Sequence, residues 1–114
     1  MNLTSTKHVH FLGIGGIGVS ALARMMLHQG KAVSGSDRTL SRITEELARM
    51  GARIYEGHQP ENIGQSVDMV IYSPAITEYN PELVHARKLR IPTMTYPQAL
   101  GRISEDAYTI AVSG

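Results

Sequence analysis

The segment Gly13-Ile14-Gly15-Gly16-Ile17-Gly18 constrains this chain more than any other. It lies between an apolar run, His8 to Leu12, and a stretch of good helix formers from Ile17 to Gln29. Three glycines reach the G-x-G-x-x-G spacing often enough by chance that their surroundings must decide what they mean. Here the turn follows a strand-like run directly, opens a helix and sits inside a strand–helix–strand unit. Asp37 comes nineteen residues after Gly18, at the tip of the second strand-like run. All four conditions point to a phosphate-facing turn. Gly13 permits the tight reversal, Gly15 keeps a Cβ out of an approaching anion's path, and Gly18 lets the helix pack close to the strand. Gly16 adds clearance. Unpaired N–H groups and the positive end of the helix dipole attract an anion by about 0.3–1 kcal/mol at exposed sites, and by up to ~2 kcal/mol when partly buried. The competing reading is a glycine turn that only allows tight packing.

The rest of the chain keeps the alternation going. Residues 32–36 form a second strand-like run, and Ser41 to Met50 reads as a helix stopped by Gly51. Ala52 to Tyr55 gives a third strand, and Asp68 to Tyr72, rich in branched and aromatic residues, a fourth. Asn80-Pro81-Glu82 starts another helix, with an asparagine cap, proline at the first helical position and an acid near the positive dipole end. Thr93 to Tyr96 can form a fifth strand, Pro97 opens a short helix, and Tyr108 to Val112 reads as a sixth strand. In the first helix Ile17, Ala21 and Met25 fall on one face, with Leu22 and Met26 beside them. The expected architecture is a Rossmann-like α/β fold, an open and mostly parallel sheet of five to six strands with helices on both faces.

With 114 residues the chain matches one small domain. Its 11 basic and 10 acidic residues are spread evenly, without the clustered lysine and arginine that nucleic-acid binding leaves, so no nucleic-acid partner is expected. No run approaches the ~20 apolar residues of a membrane helix, and the start lacks a secretory pattern, so no membrane partner and a cytoplasmic address are expected. The absence of cysteine excludes thiolate metal sites, and the five histidines lack ligand spacing, so no metal is expected. No Ser-His-Asp order and no paired catalytic acids occur, so no catalytic residue is assigned.

The order Gly-Ile-Gly-Gly-Ile-Gly, Ser34-Gly35-Ser36-Asp37, Gly57-His58, Tyr72-Ser73-Pro74-Ala75-Ile76 and Asn80-Pro81-Glu82 resembles the N-terminal domain of the Mur ligases from about His8 to Gly114. The force lies in the combination, and the likeness is nearest to the alanine-adding branch. The resemblance implies that residues 1–107 bind the UDP part of UDP-N-acetylmuramate. By position, Gly13, Ile14, Gly15, Gly16, Ile17 and Gly18 would meet the diphosphate, Ser36 and Asp37 the nucleoside side, and His58 phosphate or sugar. Ser73, Ala75 and Ile76 would line the pocket beyond the fourth strand. Residues 108–114 would lead into a central ATP-binding domain, since the family continues through Thr-His-Gly-Lys-Thr where this chain has Gly114. The resemblance further implies that ATP, with magnesium, activates the muramoyl carboxylate for attack by L-alanine. The 114 residues alone need no cofactor on this reading and are not expected to be catalytic.

Alternatives stay open at three positions. Asp37 could cap the turn into the second helix, His58 could be a solvated loop residue, and the Ser73 loop could be ordinary turn chemistry. The rival function is a regulatory NAD(H)-binding module of the kind attached to transport proteins. The related murein-tripeptide recycling branch also remains, although its glycine turn departs from the one here.

Overall fold

The computed structural model describes the backbone of residues 5–113 and the side chains of residues 5–104. Five strands, β1 (His8–Leu12), β2 (Ala32–Asp37), β3 (Arg53–Glu56), β4 (Met69–Tyr72) and β5 (Thr93–Thr95), form one parallel sheet in the order β3-β2-β1-β4-β5. Four α-helices connect or follow them: α1 (Ile17–His28), α2 (Arg42–Arg49), α3 (Pro81–Lys88) and α4 (Tyr96–Ser113), with a 3-10 turn at Pro60–Asn62. The Rossmann-like α/β expectation holds, with five strands.

Alternation along each strand sorts side chains to two faces. Val9, Phe11, Val33, Met69 and Ile71 meet α1, α2 and α4 in the larger core, through Leu22, Met26, Leu47 and Ala99. On the other face Leu12 and Val70 pack with Ile63, Val67, Leu83 and Ala86. That second face is partly polar, because His10, Ser34 and Ser36 point into it and are buried.

The helix ends follow local chemistry. The Ser41 side chain accepts from Thr44 N–H while the Thr44 side chain bonds back to Ser41, a reciprocal capping box that opens α2. Past the last turns of α1 and α2, Gly30 and Gly51 take φ of +83° and +110°, conformations that favour glycine.

Two expectations are corrected. Ile17 is 85% exposed rather than on the core face of α1; the buried stripe runs through Val19, Leu22, Ala23 and Met26. Tyr108 to Val112 is not a sixth strand, because α4 continues through it to Ser113. A reciprocal pair, Thr95 N–H to Gln98 Oε1 at 2.8 Å and Gln98 N–H to Thr95 Oγ1 at 3.3 Å, starts this helix beside Pro97. A five-residue apolar run fits a strand or a buried helix equally well by periodicity alone, so continuation of an established helix decides the outcome. Gly114 lies outside the described residues.

Candidate functional site

From β1 the chain fills one side of the sheet with β2 and β3, then crosses over to add β4 and β5. The order therefore reverses between β1 and β4, and open α/β sheets bind ligands outside the strand ends at such a point. Local bonds bring three loops together there. Ser73 N–H donates to the Leu12 carbonyl at 3.1 Å, and Gly13 and Ile14 N–H donate to the Ser36 carbonyl at 2.9 and 3.1 Å. Gly57, at φ +85°, turns the chain after β3 and donates its N–H to the Asp37 carbonyl at 2.7 Å, which sets His58 beside Ser36. The result is an open cleft of about 580 Å³ lined by Gly13, Gly16, Asp37, Arg38, His58 and Ser73, together with Thr39, Ala75, Ile76, Thr77 and Asn80.

Seven of the twelve expected site residues line this cleft: Gly13, Gly16, Asp37, His58, Ser73, Ala75 and Ile76. Ile14 does not, as its side chain is fully buried in the core. Ile17 and Gly18 occupy the first turn of α1, which has neither a side-chain cap nor an acid. Ser36 is buried one layer beneath the cleft, with its hydroxyl 2.8 Å from His58 Nδ1.

Two glycines have partners other than those expected. A Cβ on Gly15 would lie 2.9 Å from Asp37 Oδ2, whose carboxylate accepts the Gly15 N–H at 2.8 Å, so this glycine makes room for Asp37. A Cβ on Gly18 would lie 2.6 Å from the Tyr96 ring, so this glycine seats α1 against the start of α4 rather than against β1. Both local readings of the loops hold alongside the cleft. Asp37 Oδ1 accepts weakly from Thr39 N–H at 3.4 Å, and Ser73 Oγ accepts from Ala75 N–H at 3.2 Å.

Beneath the cleft lies a polar network that sequence reasoning missed. The side chains of Glu82, in the first turn of α3, and His10, on β1, are both 0% exposed, with His10 Nε2 and Glu82 Oε1 2.6 Å apart. Ser36 Oγ donates to Oε1 at 2.9 Å; Gln59 N–H and Asn62 Nδ2 donate to Oε2 at 3.1 and 3.0 Å. His58 Nδ1 lies 3.3 Å from Oε2. Burial pushes the Glu82 carboxyl up, but the bonds from His10, Asn62 and Ser36 and the charge of His10 outweigh it and hold the group below the ordinary glutamate value.

Away from the cleft, Ser34 Oγ joins His10 Nδ1 at 2.7 Å to His8 Nε2 at 2.8 Å. Burial, then the His10 and Arg53 charges, lower His8 against the opposing pull of Asp68. One signal for this network is present in the sequence: His8, His10, Ser34 and Ser36 repeat with period two on neighbouring runs, although a sheet covered on both faces usually carries near-continuous apolar strands.

The cleft offers a helix N-terminus, a glycine turn, an imidazole and an arginine, and no three metal-ligating side chains gather among the described residues. Fold and cleft together define a Rossmann-like α/β domain with an open cleft at the point where its strand order reverses.

A family profile described as "Mur ligase family, catalytic domain" matches residues 8–108, and the chain belongs to that family. It is 48% identical over 111 residues to a UDP-N-acetylmuramate–L-alanine ligase of Clostridium novyi, and 45% identical over 115 residues to that of Chlorobaculum tepidum. These alignments cover 96% and 100% of this chain. Among solved structures it matches the UDP-N-acetylmuramate–alanine ligase of Thermotoga maritima with a TM-score of 0.83 and 34% identity, over 87% of this chain and 23% of that one. A murein peptide ligase from Psychrobacter arcticus matches with a TM-score of 0.77 and 25% identity, over 87% of this chain and 20% of that one. The chain spans about a quarter of the length of the curated relatives it matches, 24% in both cases above. None of these relatives is an NAD(H)-binding module, and that alternative finds no support.

Proposed function

We propose that this chain is the domain of an ATP-dependent UDP-N-acetylmuramate:L-alanine ligase that holds the UDP part of its sugar nucleotide, at the first amino-acid addition to a peptidoglycan precursor. The observation that carries the reading is the cleft itself. The glycine turn, His58 and the Ser73 loop, distant in sequence, converge at the strand-order reversal.

On this reading the diphosphate lies over Gly13 and Gly16 and meets the first-turn N–H groups of α1, those of Ile17, Gly18 and Val19, which have no intrahelical partner, because the N–H groups of Gly13, Gly15 and Gly16 are already taken by Ser36, Asp37 and Gly13. Arg38 adds positive charge, and Asp37 faces the nucleoside. Asp37 already accepts the Gly15 N–H through Oδ2, so a ribose hydroxyl would share that carboxylate or displace the bond. Ile14, Ile17, Gly18 and Ser36 support the site from the core, the helix end and the layer beneath. Residues 1–107 form the UDP-sugar domain and 108–114 lead toward the part that handles ATP.

The residues here do not fit ATP with magnesium. The turn continues Ile17-Gly18-Val19 without the Gly-Lys-Ser/Thr ending that places a lysine on the outer phosphates. ATP, Mg²⁺ and L-alanine belong, on this proposal, to the length of the relatives that this chain does not span. No helix among the described residues is long and apolar enough to cross a membrane.

Parallel calorimetric titrations with UDP-N-acetylmuramate and NADH test the function. Binding of the UDP sugar and not of NADH is expected. Tighter binding of NADH than of any uridine nucleotide would overturn the proposal.

A further inference from the structure

We infer that Glu82 is a positioning residue. Through Ser36 it fixes the tautomer of His58, keeping Nδ1 protonated inside the protein and turning a bare Nε2 to the cleft, where a proton from solvent joins it when the diphosphate binds. The identity of that anion rests on the function proposed above; the tautomer does not.

The argument starts from groups that cannot change role. The Gln59 backbone N–H can only donate, so the Oε2 end of Glu82 must accept. The ionised carboxylate accepts at Oε1 as well, and the single Ser36 hydroxyl proton goes there at 2.9 Å. With its proton committed, Ser36 Oγ can only accept from His58 Nδ1 at 2.8 Å, so Nδ1 carries the hydrogen. A neutral imidazole has one N–H, which leaves Nε2 with a lone pair on a ring that is 17% exposed and lines the cleft.

A lone pair facing a phosphate oxygen is repulsive. Adding a proton at Nε2 gives an imidazolium with both N–H groups used, Nε2 on the anion and Nδ1 on Ser36 and the carboxylate 3.3 Å away. The charged and titratable groups around the ring are Glu82 from α3, Asp37 and Arg38 from the end of β2, and His10 from β1 behind Glu82. The loop from β4 adds none to the cleft lining.

Glu82→Gln tests the tautomer because the protein dictates how the amide must sit. Gln59 N–H and Asn62 Nδ2 require the amide oxygen at the former Oε2 place, so the NH₂ group lies at the former Oε1 place, where it donates one N–H to Ser36 and the other to His10 Nε2, whose own hydrogen moves to Nδ1 against Ser34. The serine hydroxyl then turns to His58 Nδ1, and His58 changes to the Nε2–H form. Imidazole ¹⁵N NMR on the ligand-free protein at alkaline pH should show Nδ1–H in the wild type and Nε2–H in Glu82→Gln. A lost packing contact alone would not exchange the two nitrogens.

Titration with UDP-N-acetylmuramate in buffers of different ionisation enthalpy should show net proton uptake of up to one per site in the wild type. Glu82→Gln should show none and bind about tenfold more weakly. Nε2–H in the free wild type, or Nδ1–H retained in a folded Glu82→Gln, overturns the positioning role. If Glu82→Gln does not fold, the wild-type tautomer and proton uptake decide. Wild-type binding without proton uptake overturns the anion step. Failure of the wild type to bind the UDP sugar at all overturns the proposed function and the uptake together, and is distinguishable because the tautomer is read without ligand.

Discussion

What a missing Cβ would meet separates Gly35 from Gly15. At Gly35 it would lie 2.8 Å from both the Ile14 Cβ and the Phe11 carbonyl, atoms of backbone and core that cannot step aside. Gly35→Ala is expected to cost about 3 kcal/mol, read from urea midpoints. At Gly15 the nearest atom is the end of the Asp37 side chain. Gly15→Ala should therefore cost under about 1.5 kcal/mol while weakening UDP-sugar binding about tenfold. A variant that loses several kcal/mol and binds normally would show that this glycine serves packing alone. The titrating residues predict a direction with pH. His8 and Glu82 are both depressed in the folded protein, so the unfolded chain binds more protons and acid destabilises. The His8 contribution is complete above about pH 6.5 and is lost as pH falls through its lowered folded value. The Glu82 contribution is complete above about pH 4.3 and is lost below that. Denaturant unfolding measured from pH 8 to pH 3 should show two successive declines, and His8→Asn should flatten only the first.

Helix caps give the element-scale tests. Asn80 Oδ1 accepts from Glu82 N–H at 2.9 Å and Leu83 N–H at 3.4 Å, so it caps α3 and holds the backbone of the residue at the centre of the buried network. Asn80→Ala should cost about 1–2 kcal/mol and disturb His58 as well. Ser41→Ala, at the capping box of α2, should cost about 1 kcal/mol and leave the His58 resonances unmoved. Most elements were readable in the sequence because their signals are local. The His8 to Leu12 strand has the bounds its apolar run predicts, and the Asn80-Pro81-Glu82 start is realised as a cap. The sixth strand was misread because five branched and apolar residues carry no period that distinguishes strand from helix.

For the molecule as a whole, phosphoryl transfer needs a lysine, magnesium ligands and a phosphate cradle in one place, and no lysine is among the described residues that line the cleft. The 114-residue protein incubated with ATP, magnesium, UDP-N-acetylmuramate and L-alanine should release no phosphate above a no-enzyme control. Release by this chain itself would mean that the chemistry has been misplaced. The strand order β3-β2-β1-β4-β5 is what turns three separate loops into one site, since it puts the ends of β1 and β4 side by side.

The sequence by itself determined the alternation of strands and helices, the glycine turn and Asp37 at the end of the second strand, because each depends on local spacing, whereas His58, Ser73, Ala75 and Ile76 entered through the family resemblance. Only the tertiary structure decided that Ile14 is core, that Gly18 faces Tyr96, and that Glu82 is the buried centre of a network rather than an acid at a helix end. The physical reason is distance along the chain. His10 and Glu82 meet across 72 positions and Ser36 and Glu82 across 46, and such contacts exist only after the sheet has chosen which strands to place together.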